Sequence, residues 1–68
     1  MSIDPNIRTG QTWRRKIDGV LVEIIAAGFN KALGYNIAEW RRLDTGRKGR
    51  LDFGALSDRY ELVEDAPA

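Results

Sequence analysis

Asp18-Gly19-Val20-Leu21-Val22-Glu23-Ile24-Ile25-Ala26-Ala27-Gly28-Phe29-Asn30-Lys31-Ala32-Leu33-Gly34 decides the fold, because it supports two incompatible readings. As a helix, Leu21, Ile24, Ile25, Gly28, Phe29, Ala32 and Leu33 share one face, with Asp18 as N-cap and Gly34 just past the end. Against this stand Val20, Val22 and two consecutive isoleucines, which lose side-chain freedom in a helix. Gly28 in the interior adds a cost of about 1 kcal/mol. The β-branched residues suit a pleated surface, so we read a strand over 20–25. Residues 27–34 then form a long loop, in which a short helical turn is compatible, with Phe29 and Leu33 folded back over the core.

Working outward, Asp18-Gly19 reads as a two-residue type I′ hairpin turn, which needs positive φ at both central positions. It joins the strand after it to the run Thr12-Trp13-Arg14-Arg15-Lys16-Ile17. A second turn cluster, Asp44-Thr45-Gly46-Arg47-Lys48-Gly49, lies between strand-like runs at 37–43 and 50–53. Residues 54–58 are too short for a stable isolated helix and read as one 3₁₀ turn leading into Tyr60-Glu61-Leu62-Val63. The prediction is an all-β, mainly-β domain over 7–64: a small barrel of about five short strands with one 3₁₀ turn before the last. Residues 1–6 and 65–68 are expected as flexible tails.

Gly10 and Trp13 opening the first strand, Asp18-Gly19, the run Trp40-Arg41-Arg42-Leu43 into the 44–49 turn, and Leu56 with Tyr60-Glu61-Leu62-Val63 together carry a resemblance. In this order the chain resembles the SH3-like small barrels. Short sequences of this type, with an early tryptophan and a similar end, are encoded by bacteriophages and actinobacteria, mostly without assigned function. The resemblance covers about residues 7–64 and is a pattern of hydrophobics and turns rather than a catalytic motif. It implies a barrel and an interaction role, in the host cytoplasm if the chain is phage-encoded.

Composition narrows the chemistry. At 68 residues the chain is one small domain, which buries only roughly 60% of the surface its unfolded form exposes. It has no cysteine and no histidine, so disulfides, zinc-finger sites and histidine acid–base catalysis are excluded. An apolar share of 43% sits in the globular range. No stretch reads as a signal peptide or a membrane span, which leaves a cytoplasmic protein as the expectation. Asp44-Thr45-Gly46 spells the tripeptide of aspartic proteases, but that chemistry needs two facing carboxylate loops and this chain offers one. Ser2 and Ser57 lack a base, and no phosphate loop or metal-ligand cluster occurs. The expectation is therefore no enzyme, no cofactor, no metal and no small-molecule substrate.

Charge is informative through its placement. Eleven basic against ten acidic residues give +1, yet Arg14, Arg15, Lys16 and Arg41, Arg42, Arg47, Lys48, Arg50 fall in two blocks. If the blocks come together they form a positive face able to track phosphates. Trp13, Trp40, Phe53 and Tyr60 are candidates to add stacking. Alternation argues instead that Trp13 and Trp40 point inward while Arg14, Lys16 and Arg41 point to water. The leading expectation is a non-catalytic module binding nucleic acid through Arg41, Arg42, Arg47, Lys48 and Arg50. The bland alternative is a solvated surface whose arginines pair with Glu23, Glu39 and Asp44. Val20, Val22 and Ile24 on one side of strand two, against Leu21 and Ile25 on the other, leave one apolar face in excess. That face, or a strand edge, suits a host-protein partner or self-association into a homo-oligomer.

Overall fold

Three four-residue loops, each ending in glycine, set the architecture of the computed structural model, which describes residues 7–66. Lys16-Ile17-Asp18-Gly19, Lys31-Ala32-Leu33-Gly34 and Leu43-Asp44-Thr45-Gly46 each return the chain in the same way. In every case the glycine N–H donates to the carbonyl four residues back: Gly19 to Arg15 at 2.7 Å, Gly34 to Asn30 at 2.8 Å, Gly46 to Arg42 at 2.9 Å. The three glycines sit at φ of 77°, 82° and 78°, where a Cβ would be strained. No non-glycine residue has positive φ among the described residues, so the expected type I′ turn at Asp18-Gly19 is corrected to this wider loop. Asp18 contributes its carboxylate instead, accepting from the Val20 N–H at 3.2 Å.

The loops connect β1 (Thr12–Arg15), β2 (Leu21–Asn30), β3 (Tyr35–Arg42) and β4 (Lys48–Asp52). The helix α1 (Phe53–Arg59) then leads into β5 (Tyr60–Glu64). All pairings are antiparallel, in one sheet of order β4-β3-β2-β1-β5. The mainly-β class, the five strands and a short helical element before the last of them are as expected. That element is longer than the expected 3₁₀ turn: Asp52 caps it, accepting from the Ala55 N–H at 3.2 Å, and the Tyr60 N–H closes it on the Leu56 carbonyl. Leu56, fully buried, supplies the tertiary packing that an isolated heptapeptide lacks.

The helical rival for 20–33 and the expected loop over 27–34 are both overturned, because β2 runs unbroken to Asn30. A bulge between Ile24 and Ala26 explains why simple alternation misled. Before it Val22 and Ile24 face the core; after it Ala27, opposite the buried Ala38, does so. One extra residue switches the inward positions from even to odd and accommodates the adjacent isoleucines. Beyond Gly28 and Ile37 neither β1 nor β4 accompanies the hairpin, and it continues as a two-stranded ribbon. Phe29 and Leu33 do not fold back: they are 64% and 50% exposed.

The core comprises Ile7, Trp13, Val22, Ile24, Ala38, Leu56 and Tyr60, with Val20, Ala27, Trp40, Leu51 and Phe53 packed against it. Both tryptophans thus face inward. Gln11, buried at its base, accepts from the Trp13 Nε1–H and the Arg8 N–H, each at 2.9 Å, and donates to Asp65 at 2.9 Å. Asp65, expected in a tail, is therefore tied to the fold, while residues 1–6 lie outside the described residues.

Candidate nucleic-acid interface

The register gives Arg14, Arg15, Arg41, Arg42, Lys48 and Arg50 their places on the sheet. Lys48 lies opposite Arg41, Arg41 opposite Glu23, and Glu23 opposite Thr12, so one row crosses four strands on the outer face. The next row places Arg50 opposite Glu39, and the following one Asp52 opposite Ile37 and Ile37 opposite Gly28. Gly49 falls between, on the inner face opposite Trp40. Its Cα lies flat against the indole, where an added Cβ would meet ring carbons at 2.3 Å. Gly49 is thus a packing residue in a strand rather than a turn residue. The indole Nε1 is itself buried without an acceptor among the described residues.

The two basic blocks do not merge into one positive face. β1 is separated from β4 by β2 and β3, about 14 Å along the sheet at the usual strand spacing. They approach only through Arg15 and Arg42, and each of these is already engaged. Arg15 grips Asp18 with two donors, at 3.0 and 2.7 Å, and Arg42 grips Asp44 at 3.0 and 2.8 Å. The Arg15 hydrogen bonds, helped by the Val20 N–H, hold the Asp18 carboxyl down at about 2. Arg42 likewise lowers Asp44. The result is a neutralised quartet of charges, in which Asp44 of the Asp-Thr-Gly tripeptide serves as an arginine partner.

Of the five residues proposed from sequence, Arg41 points outward but pairs with Glu23 at 2.6 Å, and Arg42 belongs to the quartet. Arg47, Lys48 and Arg50 form no ion pair among the described residues. Arg8 and Arg14 are spoken for by Asp65 and Glu61. Lys16, Lys31 and Arg59 are also unpaired, but they are scattered. The β3–β4 hairpin is therefore where free cations lie side by side.

Arg50 also stands at the meeting point of three shallow depressions. One of about 240 Å³ is lined by residues that include Gly28, Phe29, Ile37 and Glu39. A second, about 260 Å³, includes Leu33, Tyr35, Ile37 and Asp52. The third, about 230 Å³, lies between Glu39, Lys48 and Gly49. Small residues on β2 keep the floor open, since nothing lies within 4 Å of a Cβ built on Gly28. Glu39 is the one carboxylate in the first and third, and it leaves the patch of Arg47, Lys48 and Arg50 net positive.

Sequence reasoning selected the wrong aromatics for this surface. Trp13 and Tyr60 are buried, and Trp40 and Phe53 pack against the core. Phe29 and Tyr35, 64% and 48% exposed, are the aromatics that reach solvent, and the register puts Tyr35 on the face of Arg50 and Phe29 on the other. Among the described residues no group of three or more acidic side chains could hold a metal ion. No helix among them is long and apolar enough to cross a membrane. No family model, curated protein or solved structure matches this chain.

Proposed function

We propose that this chain is a non-catalytic interaction module that binds nucleic acid through its β3–β4 hairpin. The observation that carries the reading is the contrast in pairing. Arg8, Arg14, Arg15, Arg41 and Arg42 each have a carboxylate partner, whereas Arg47, Lys48 and Arg50 have none among the described residues, and Lys48 and Arg50 line one open depression. Unpaired cations on a hairpin are free to displace the counterions of a phosphate backbone at no loss of internal ion pairs. Arg41, beside Lys48 across the strand pair, extends the patch but carries a competing carboxylate.

The test is affinity for labelled DNA and RNA across a salt series. Log affinity should fall with log salt by about 0.9 for each phosphate neutralised on duplex DNA. Replacing Arg47, Lys48 and Arg50 together by Ala should abolish most of the affinity and flatten the slope. Undiminished binding by that variant would remove the hairpin from the site.

A protein partner is the second reading, favoured by the sheet edges. β4 and β5 each pair on one side only among the described residues, and β5 exposes Leu62 and Val63 at 46% and 49%. Such an edge can extend a partner's sheet through main-chain hydrogen bonds. Binding of that kind would respond weakly to salt and to the triple substitution.

A further inference from the structure

β2 parts from β1 at the bulge. On that side its last bonds are made by Ile24, whose N–H donates to the Gln11 carbonyl at 2.9 Å and whose carbonyl accepts from the Gly10 N–H at 2.8 Å. From Ala26 to Asn30 the strand pairs with β3 in unbroken register and has no strand on its other side among the described residues. Ala26-Ala27-Gly28-Phe29-Asn30 is thus a free strand edge, and it carries neither a charge nor a proline. Ala26, Gly28 and Phe29 along it are exposed. The other edges are guarded. β4 displays Lys48, Arg50 and Asp52, and β5 displays Glu61 and Glu64. Charged side chains of this kind keep an edge from pairing with a further strand of its own kind. On β3 the part that β4 does not accompany is only Tyr35 and Asn36.

We propose that the Ala26–Asn30 edge pairs antiparallel with the same edge of a second copy, giving a dimer about a two-fold axis normal to the sheet. The charge pattern selects the partner. When the run pairs with itself, each residue opposes another of the same run in every register, so no like charges meet. The same run offers no complement to a charged strand. Its outward main-chain groups gain inter-strand hydrogen bonds in place of water, as in any extended sheet. The register places Phe29, opposite Asn36, on the inner face with Ala27. A two-fold axis normal to the sheet keeps both inner faces on one side, so the two Phe29 rings come onto the same face across the axis. Within a single chain that ring has no comparable cover and stays 64% exposed. Because β3 stands between β2 and β4, the dimer leaves both β3–β4 hairpins open, one at each flank. The proposal therefore stands apart from the nucleic-acid reading.

The experiment is sedimentation velocity of the full chain from micromolar to millimolar concentration, with melting temperature as the folding control. The parent should pass from monomer to dimer. Gly28→Lys puts a charge on the edge at a position where an added Cβ meets nothing within 4 Å and φ is not positive. It should fold as the parent does and weaken dimerisation roughly tenfold or more. Disulfide cross-linking locates the contact independently, since the chain has no cysteine of its own. At least one of Ala26→Cys, Gly28→Cys and Phe29→Cys should link two copies, whereas Lys48→Cys and Val63→Cys, on the β4 and β5 edges, should not. The Arg47/Lys48/Arg50 triple variant should dimerise as the parent does, which separates this result from any loss of nucleic-acid binding. A monomer at every concentration would overturn the proposal. A parent-like dimer in folded Gly28→Lys would overturn it too, as would cross-linking through Lys48→Cys or Val63→Cys in place of the β2 positions, which moves the contact to another edge.

Discussion

Gly49 illustrates what one residue can dictate. A hydrogen at its Cα lets the Trp40 indole lie against the β4 backbone, and a methyl group there would overlap ring carbons at 2.3 to 2.8 Å. The ring is rigid, so relief requires β4 or Trp40 to move. Gly49→Ala should therefore destabilise the fold by about 1–3 kcal/mol, as overpacking does. For a domain of this size that corresponds to a melting temperature lower by roughly 4 to 20 °C. An unchanged melting temperature would mean that Trp40 shifts freely. Sequence could not assign this role: a glycine in a run of turn residues reads as a turn, and only the register reveals the ring opposite. Asp18 is a second case. Its carboxyl is held at about 2 by Arg15 and the Val20 N–H, below its ordinary value of 3.8. A depressed folded-state pKa means that the contribution is present above the unfolded value and is lost as pH falls through the folded one. Asp44, lowered by Arg42, and Asp65, lowered by the Gln11 side chain, act in the same direction. Stability should accordingly fall between about pH 4 and pH 2. Asp18→Asn should make that decline shallower, which acid titration followed by circular dichroism would read.

At the scale of elements, the turns were legible and the strands between them only partly so. Asp18-Gly19 and the 44–49 cluster announced two hairpins because Asp and Gly are turn residues with a mechanism. The third, at 31–34, lies within the expected 27–34 loop, but its tightness is not legible because Lys31-Ala32-Leu33 has helix-forming composition. The signal was present as a spacing: Gly34 follows Asn30 by the same four residues that separate Gly19 from Arg15 and Gly46 from Arg42. The bulge at Ile25 concealed the strand leading to it, since a parity switch imitates a loss of alternation and gives a helix-like pattern in its place. Local sequence also underestimated α1, whose length depends on burial of Leu56 among β3, β4 and β5. Truncating that side chain tests the point. Leu56→Ala should cost about 2–5 kcal/mol, from lost apolar burial plus the cavity left behind. Because α1 links the two outer strands of the sheet, the loss should appear in the global melting transition and not as local fraying. A variant with the parent's melting temperature would show that the strands hold without the helix.

For the molecule as a whole, the near-zero net charge hides a division of labour. Five arginines are bound to carboxylates and three cations are collected on one hairpin; strand register sets the Arg14–Glu61 and Arg41–Glu23 pairs, and turn residues supply the partners of Arg15 and Arg42. The sequence showed the clustering of Arg47, Lys48 and Arg50 and offered Glu23, Glu39 and Asp44 as arginine partners, but not which arginine each would take. The Arg41–Glu23 pair depends on strand neighbours distant in the chain, whereas Arg42 takes Asp44 two residues on. Arg41 is the instructive member, because it stands beside Lys48 and is withheld by Glu23 alone. Glu23→Gln would free its guanidinium next to the patch. Exposed ion pairs contribute only about 0.2–1 kcal/mol, so the fold should tolerate the change. If the hairpin reads phosphates, this variant should bind nucleic acid several-fold more tightly, with a salt slope steeper by about one further contact, or 0.9 on duplex DNA. Glu61→Gln is the matched control. It raises the net charge by the same amount but frees Arg14, which lies on β1 on the far side of β2 and β3. A gain confined to Glu23→Gln would locate the interface at the β3–β4 hairpin, whereas equal gains in both variants would reduce the effect to overall charge and count against a defined site.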